Sequence, residues 1–346
     1  MTAQAPTTPP NGVPRRASVI DVARLAEVSV GTVSNVLNRP ERVAAATRSR
    51  VEAAIEQLNF VPNSAARQLR VGAAKMVGSI VLDLANPFFM EVARGLQDRL
   101  ELDDWALMLA ASDGSPEREA QFLRMFEQHG VGGVAVVPSQ DRIDELAALA
   151  ERGVPVVLMD LASPVPEISS VAVDDVAGGR MAAQHLLSMG HERIAMLNGP
   201  HTVHQCRDRR EGVTSALRAA GLDPAVAFHE LTVPMNARGG ELGANALLSQ
   251  QAGQRATAVV CVNDMVALGA LRTVRLAGLD VPGDLAIVGY DDVAFAGELL
   301  VPLSSVRRPS HTLGSTAADL LLRPPGQEAV QVVYPPQLVV RASTAG

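Results

Sequence analysis

Between Val19 and Leu58 the apolar residues recur at intervals of three and four, whereas beyond Lys75 they gather into unbroken runs of strand length. Ser18 and Asp21 stand at the spacing of a capping box, and Val19, Val22, Ala23 and Ala26 follow at helical intervals. One helix is therefore expected from about Val19 to Ala26. Ser29 is a good N-cap for a second, from about Val30 to Leu37, which Asn38, Arg39 and Pro40 end. Val51, Ala54, Ile55 and Leu58 mark a third, closed by Asn59 and Pro62. Short helices with a tight turn between the first two have the spacing of a helix-turn-helix.

The later runs are Val77–Leu84, Ala106–Ala111, Gly133–Val137, Pro155–Asp160, Ile194–Asn198, Ala258–Val262 and Leu285–Tyr290. They alternate with amphipathic stretches of helix length: Pro87–Leu102, Glu117–His129, Asp175–Met189, Arg207–Ala220 and Met265–Ala277. Continuous apolar strands separated by helices imply parallel sheets covered on both faces. Such strands fit one wide sheet or two smaller ones. DLANPFF and LNGPHTVH each follow a strand and precede a helix, one in each half, which favours two similar lobes. Ligands of open α/β sheets bind at the carboxyl ends of the strands.

At 346 residues, 47% of them hydrophobic, the chain has ample core for a small domain and one or two larger ones. Its formal charge of -7 hides an asymmetry. Residues 15–75 hold 10 Lys and Arg against 5 Asp and Glu, a net of +5, so the remainder is strongly acidic. Contact with nucleic acid is thus expected only near the amino terminus. Cys206 and Cys261 are too few for a disulfide framework and fit a reducing compartment. Residues 1–17 form a Pro/Thr-rich tail without the apolar core of a signal peptide, and no apolar run reaches the roughly 20 residues of a membrane helix. A cytoplasmic protein with no membrane partner is expected.

VSVGTVSNVLN, Val28 to Asn38, carries no charge. In a helix-turn-helix the second helix enters the major groove, where Thr32, Ser34 and Asn35 have hydrogen bonds to offer base edges and Val30 a methyl contact to thymine. Arg15, Arg16, Arg24, Arg42, Arg48 and Arg50 surround it and attract phosphate. The competing reading is a small helical cap on a larger domain.

The run from Ser18 to Arg70 resembles, without a gap, the DNA-binding head of the lac repressor / gal repressor family of bacterial regulators. DLANPFF, VAVDDVAGG, GHERIAMLNGP, RDRREG, CVNDMVALGAL, IVGYDD and LVVRAST extend the resemblance across the body. It implies a small all-α head on a two-lobed α/β body like that of periplasmic binding proteins. The expected division is a tail at 1–17, a head at 18–61, a hinge at 62–74 and a body at 75–346. The first lobe then takes about 75–161 and 292–323, and the second about 162–291 and 324–346.

By position, the resemblance implies that Val30, Gly31 and Asn35 read bases and that Thr32, Ser34, Asn38, Thr47 and Asn63 touch phosphate. PNSAARQLR matches a hinge helix that folds on its operator, with Leu69 as the minor-groove wedge. An apolar wedge unstacks a base step and kinks the duplex. Glu27 stands where the family commonly has Gly, a strain on the order of 1 kcal/mol if its backbone is left-handed. Gly31 offers no side chain to a base. Asn35 stands where Arg is frequent, and Asn suits adenine where Arg suits guanine.

In the body, the resemblance implies an effector cleft reached by Asn86, Phe88, Phe89, Asp160, Arg209, Asp264 and Arg308. Aromatic rings suit the apolar face of a sugar, although one of Phe88 and Phe89 is expected to face the core. For Asp264 the alternative role is an N-cap. Arg308 replaces the family's usual Gln; it either faces an anionic group of the effector, such as a sugar acid or phosphorylated sugar, or points to solvent or pairs with a carboxylate. His201, His204 and Cys206 lie in an expected loop without an obvious fourth metal ligand, and nothing matches a dinucleotide fingerprint, a P-loop or a paired-carboxylate site. No cofactor and no enzymatic activity are expected.

The implied protein is an effector-controlled repressor that binds near-palindromic operator DNA as a homodimer; the absence of a heptad tail after LVVRAST favours dimer over tetramer. A transport solute-binding protein and an enzyme on a similar scaffold are the competing readings. The basic head and the lack of an export signal count against the first.

Overall fold

Ser18 opens the first helix through reciprocal bonds: Asp21 N–H donates to Ser18 Oγ at 3.3 Å, and Ser18 N–H donates to Asp21 Oδ2 at 2.8 Å. The computed structural model describes residues 17–60, 74–140, 143–251 and 255–345. The chain divides into two compact units, up to residue 72 and from residue 73 onward.

In the first unit, α1 (Val19–Leu25), α2 (Val30–Asn38) and α3 (Ala45–Gln57) enclose a core that includes Val22, Ala26, Val33, Val36, Val51 and Ala54. Ser29 Oγ accepts Thr32 N–H at 3.1 Å, which makes it the N-cap of α2. Helix α3 begins at Ala45, well ahead of Val51. Ala44 gives no side-chain cap to announce that start, and the alanines after it carry the first turn through intrinsic propensity. Glu27 has φ 53°, so its backbone is left-handed and the condition for strain is met. The tail before residue 17 and the expected hinge, with Asn63 and Leu69, lie outside the described residues.

The second unit has strands β1 (Ala74–Val81), β2 (Ala106–Ala111), β3 (Val131–Val136), β4 (Val156–Met159), β5 (Ser169–Val173), β6 (Ile194–Asn198), β7 (Phe228–Thr232), β8 (Ala258–Cys261), β9 (Ala286–Asp291), β10 (Ser304–Arg307), β11 (Gln331–Tyr334) and β12 (Gln337–Val339). Its helices are α4 (Pro87–Glu101), α5 (Pro116–Gln128), α6 (Asp144–Glu151), α7 (Asp175–Ser188), α8 (His204–Ala219), α9 (Pro224–Ala227), α10 (Ala237–Leu248), α11 (Asp264–Leu276) and α12 (Ser310–Leu321). The strands form two six-stranded sheets, ordered β11-β5-β4-β3-β1-β2 and β12-β10-β9-β8-β6-β7. Among the described residues every strand pairing is parallel except β10 with β12.

The lobe boundaries differ from those expected. β5 pairs with β4 and β11 with β5, which places both in the first lobe, while β10 pairs with β9 in the second. The chain therefore crosses between lobes at Asp174, at Arg308–Pro309 and at Pro335–Pro336, and Asp174 N–H donates to Tyr334 O at 3.1 Å, joining the first crossing to the last. Two of these strands are hidden from pattern reading. β11 lies at a sheet edge, half-exposed. β10 buries two serines, Ser304 and Ser305, and Ser304 is satisfied by the end of the chain: Ser304 N–H donates to Ser343 Oγ at 2.8 Å.

Glycine misleads in a similar way at α10, where ARGGELGANALL reads as a weak helix. A Cβ on Gly240 would lie 1.9 Å from Val266 O of α11, so the glycine admits a close helix contact.

Candidate functional site

The head presents one face of α2. Val33 and Val36 turn into the core, leaving Val30, Gly31, Asn35 and Asn38 exposed and Thr32 and Ser34 half-exposed. Asn38 Nδ2 donates to Ser34 O at 2.7 Å, which ties that side chain to its own helix. Thr47 is half-exposed in the first turn of α3. Apart from Asn63 and Leu69, every residue expected to meet DNA thus lies on α2 or at the start of α3.

In the body, a cavity of about 420 Å³ opens between the lobes at the carboxyl ends of their strands. Leu82, Asn86, Phe89 and Asp160 line it from the first lobe, and Val203, Gln205, Arg209, Met235, Asn263 and Asp291 from the second, with Arg308 at a crossing. Asn86 also caps α4 by accepting Phe88 N–H at 3.0 Å.

Arg209 is held from behind. Its Nε donates to Asp175 Oδ1 at 3.0 Å, its Nη1 donates to Val262 O at 2.5 Å, and its guanidinium carbon stands 3.7 Å from the Tyr290 ring centroid. Tyr290 also donates its hydroxyl to Asp175 Oδ1, at 2.6 Å. Burial pushes the Asp175 carboxyl up, but the adjacent Arg209 and Arg308 and the Tyr290 hydroxyl outweigh it and hold the group below its usual range. The glycines of VAVDDVAGG make this possible. A Cβ on Gly178 would fall 1.9 Å from the Tyr290 hydroxyl, and one on Gly179 would fall 2.0 Å from Arg209 O.

Arg308 settles one of the open alternatives. Its Nη1 donates to Asp160 Oδ1 at 2.6 Å, and its Nε and Nη2 donate to Asp291 Oδ1 at 3.0 and 2.7 Å. The side chain is paired with carboxylates, and only 4% of the residue is exposed. Phe88 lies beneath it, its ring centroid 3.4 Å from the guanidinium carbon, while Phe89 lines the cavity. Asp160 and Asp291 follow or end strands with φ of 59° and 103°, left-handed backbone that costs about 1–3 kcal/mol each and concentrates at functional sites. Burial pushes the Asp160 carboxyl up more than Arg308 pulls it down.

Asp264 stands apart from the other expected ligand residues. The N-cap of α11 is Asn263, whose Oδ1 accepts Val266 N–H at 2.8 Å. Asp264 turns inward, accepting Ser305 Oγ–H at 2.7 Å and Val293 N–H at 2.9 Å, and it is absent from the cavity lining. Burial, with Asp291 nearby, pushes its carboxyl up to about 8. His204 lies in helix α8 and not in a loop; it meets Asp208 at 2.9 Å, whereas His201 meets Glu230 at 2.8 Å. Cys206 is buried, its thiol pushed up to about 11 by that burial. These three residues face different partners.

Sequence reading missed Asp175, Gln205, Tyr290 and Asp291. Asp291 carried a signal of its own, an acidic residue at the carboxyl end of an apolar run, and Asp175 and Tyr290 lay within the motifs VAVDDVAGG and IVGYDD.

Residues 18–63 match the family described as bacterial regulatory proteins, lacI family, and residues 74–338 match periplasmic binding proteins and sugar binding domain of LacI family. The HTH-type transcriptional repressor PurR of Aliivibrio fischeri (strain MJ11) is 32% identical over 311 residues, 88% of this chain and 91% of that protein. The ribose operon repressor of Escherichia coli (strain K12) is 33% identical over 321 residues, 91% of this chain and 95% of that protein. The solved lac repressor dimer bound to operator and the anti-inducer ONPF aligns with a TM-score of 0.79 at 28% identity, over 96% of this chain and all of that one. With both parts matched in order, the chain belongs to the lacI family of bacterial regulatory proteins.

Proposed function

We propose that this regulator is a repressor that binds a near-palindromic operator as a homodimer in the cytoplasm, and that a neutral, hydroxyl-rich sugar in the cleft controls it. The carrying observation is that both cleft arginines already have carboxylate partners, Asp175 for Arg209 and Asp160 with Asp291 for Arg308. Two cations face three anions there, so an acidic effector enters against the local charge, while hydroxyls both donate to and accept from such a set. Leu82, Phe89, Val203 and Met235 give the cavity apolar wall for the C–H face of a ring, and its volume falls within the roughly 300–1,000 Å³ of small-molecule sites. The name of the ribose operon repressor supports a sugar, and that of the operator-bound lac repressor dimer supports the assembly. No helix among the described residues is long and apolar enough to cross a membrane.

On this reading, Val30, Gly31 and Asn35 meet base edges, while Thr32, Ser34, Asn38, Thr47 and Asn63 meet phosphate and Leu69 wedges the minor groove. The test is capture of chromosomal fragments by the full chain, followed by challenge with neutral sugars and with their corresponding acids. Specific capture altered by a neutral sugar is expected. Failure to capture any fragment removes the regulatory reading, and a response confined to the acids removes the neutral effector.

A further inference from the structure

Arg308 occupies an unusual place, on the crossing where the chain leaves β10 of the second lobe for α12 of the first. Its guanidinium joins Asp160 of the first lobe to Asp291 of the second while lying on Phe88 of the first. Gln205, at the start of α8 in the second lobe, reaches the same first-lobe residue. Its Nε2 donates to Asp160 O at 2.8 Å and to Asp160 Oδ2 at 3.0 Å. Both carboxylate oxygens of Asp160 are therefore taken by donors from outside its own lobe. The reverse contact, Asn86 Nδ2 to Asp291 Oδ2, is longer at 3.4 Å.

We propose that Arg308 is a positioning residue of the cleft: it holds the lobes together in the absence of effector by occupying the Asp160 carboxylate, for which effector hydroxyls must then compete. This rests on the reading of the cleft as the effector site. Asp160 is the buried carboxylate of the first lobe in the cavity lining, and its left-handed backbone fixes where it points. A planar guanidinium meets two carboxylates at once, whereas an ammonium has no such fork. Opening the lobes returns both charges to water, which offsets much of the attraction lost, so the contact is poised for exchange. A sugar hydroxyl that donates to Asp160 replaces the arginine bond and leaves Arg308 on Asp291.

The experiment compares full-length wild type, Arg308→Gln, Arg308→Lys, Asp160→Asn and the Arg308→Gln/Asp160→Asn pair by small-angle X-ray scattering without ligand and by calorimetry with D-ribose as the probe. All variants are expected to have a larger radius of gyration than wild type, with the pair no larger than Arg308→Gln. The pair also keeps the charge balance of the site, so it serves if a single variant fails to fold. For D-ribose, Arg308→Gln is expected to bind several-fold tighter and Asp160→Asn several-fold weaker, although each loses the same bond; a merely structural role moves both in one direction. A pair as compact as wild type overturns the proposal. If D-ribose binds no form, the cleft does not take this sugar, and the scattering comparison alone decides the latch.

Discussion

Arg209 Nε donates to Asp175 Oδ1 at 3.0 Å inside the second lobe, and Tyr290 directs its hydroxyl to that same oxygen. The pair has two separable consequences. Asp175 and Tyr290 lie behind Arg209; neither lines the cavity, whereas Arg209 does.

Removing one partner strands a buried charge, which costs about 3–5 kcal/mol. Arg209→Met is therefore expected to lower the unfolding midpoint of the body sharply and to abolish effector binding. Arg209→Met with Asp175→Asn removes both charges and is expected to recover most of the stability but none of the binding. Urea titration followed by Trp105 fluorescence, with calorimetry alongside, separates these outcomes. Recovered binding in the double variant contradicts the role given to Arg209.

Asp264 predicts a dependence on pH. Its carboxyl is pushed up to about 8 in the folded body, so folding favours its protonated form. That contribution is complete below the carboxyl's ordinary value near 4, declines as pH rises, and is gone above about 8. Asp264→Asn, which keeps an acceptor for Val293 N–H, is expected to flatten the fall in stability between about pH 5 and 8. Urea midpoints across that range that run parallel for the two proteins count against it.

Glu27, at φ 53°, carries left-handed strain of about 1–2 kcal/mol, against which glycine loses about 0.5–1 kcal/mol through its freedom in the unfolded chain. Glu27→Gly is expected to stabilise the head by about 0.5–1 kcal/mol. Since Trp105, Tyr290 and Tyr334 all lie in the body, fluorescence does not report on the head. Amide exchange across residues 19–57 does, and it is expected to slow.

Asn35 lies exposed on α2, where its amide suits adenine N6 and N7. Selection of bound sites from a random DNA pool is expected to yield adenine at the position it meets, with Asn35→Arg shifting the preference to guanine. A guanine requirement in the parent protein refutes the assignment.

The head was legible because its signals are local. Ser18 with Asp21 and Ser29 with Thr32 act across three residues, and the apolar period fixes which face is buried. The fully buried strands were legible too, as continuous runs. β10 was not, because two of its buried residues are serines whose partners are distant in the chain, Ser343 and Thr344 for Ser304 and Asp264 for Ser305.

The sequence by itself determined the helix-turn-helix and the parallel α/β body, since capping, periodicity and apolar runs act within a few residues of one another. Only the tertiary structure decided where the lobes exchange strands, that Asp264 turns inward, and that Arg308 meets Asp160 across 148 positions of chain. A buried charge takes whichever counter-charge the fold brings within reach, and that partner has no fixed spacing along the polypeptide.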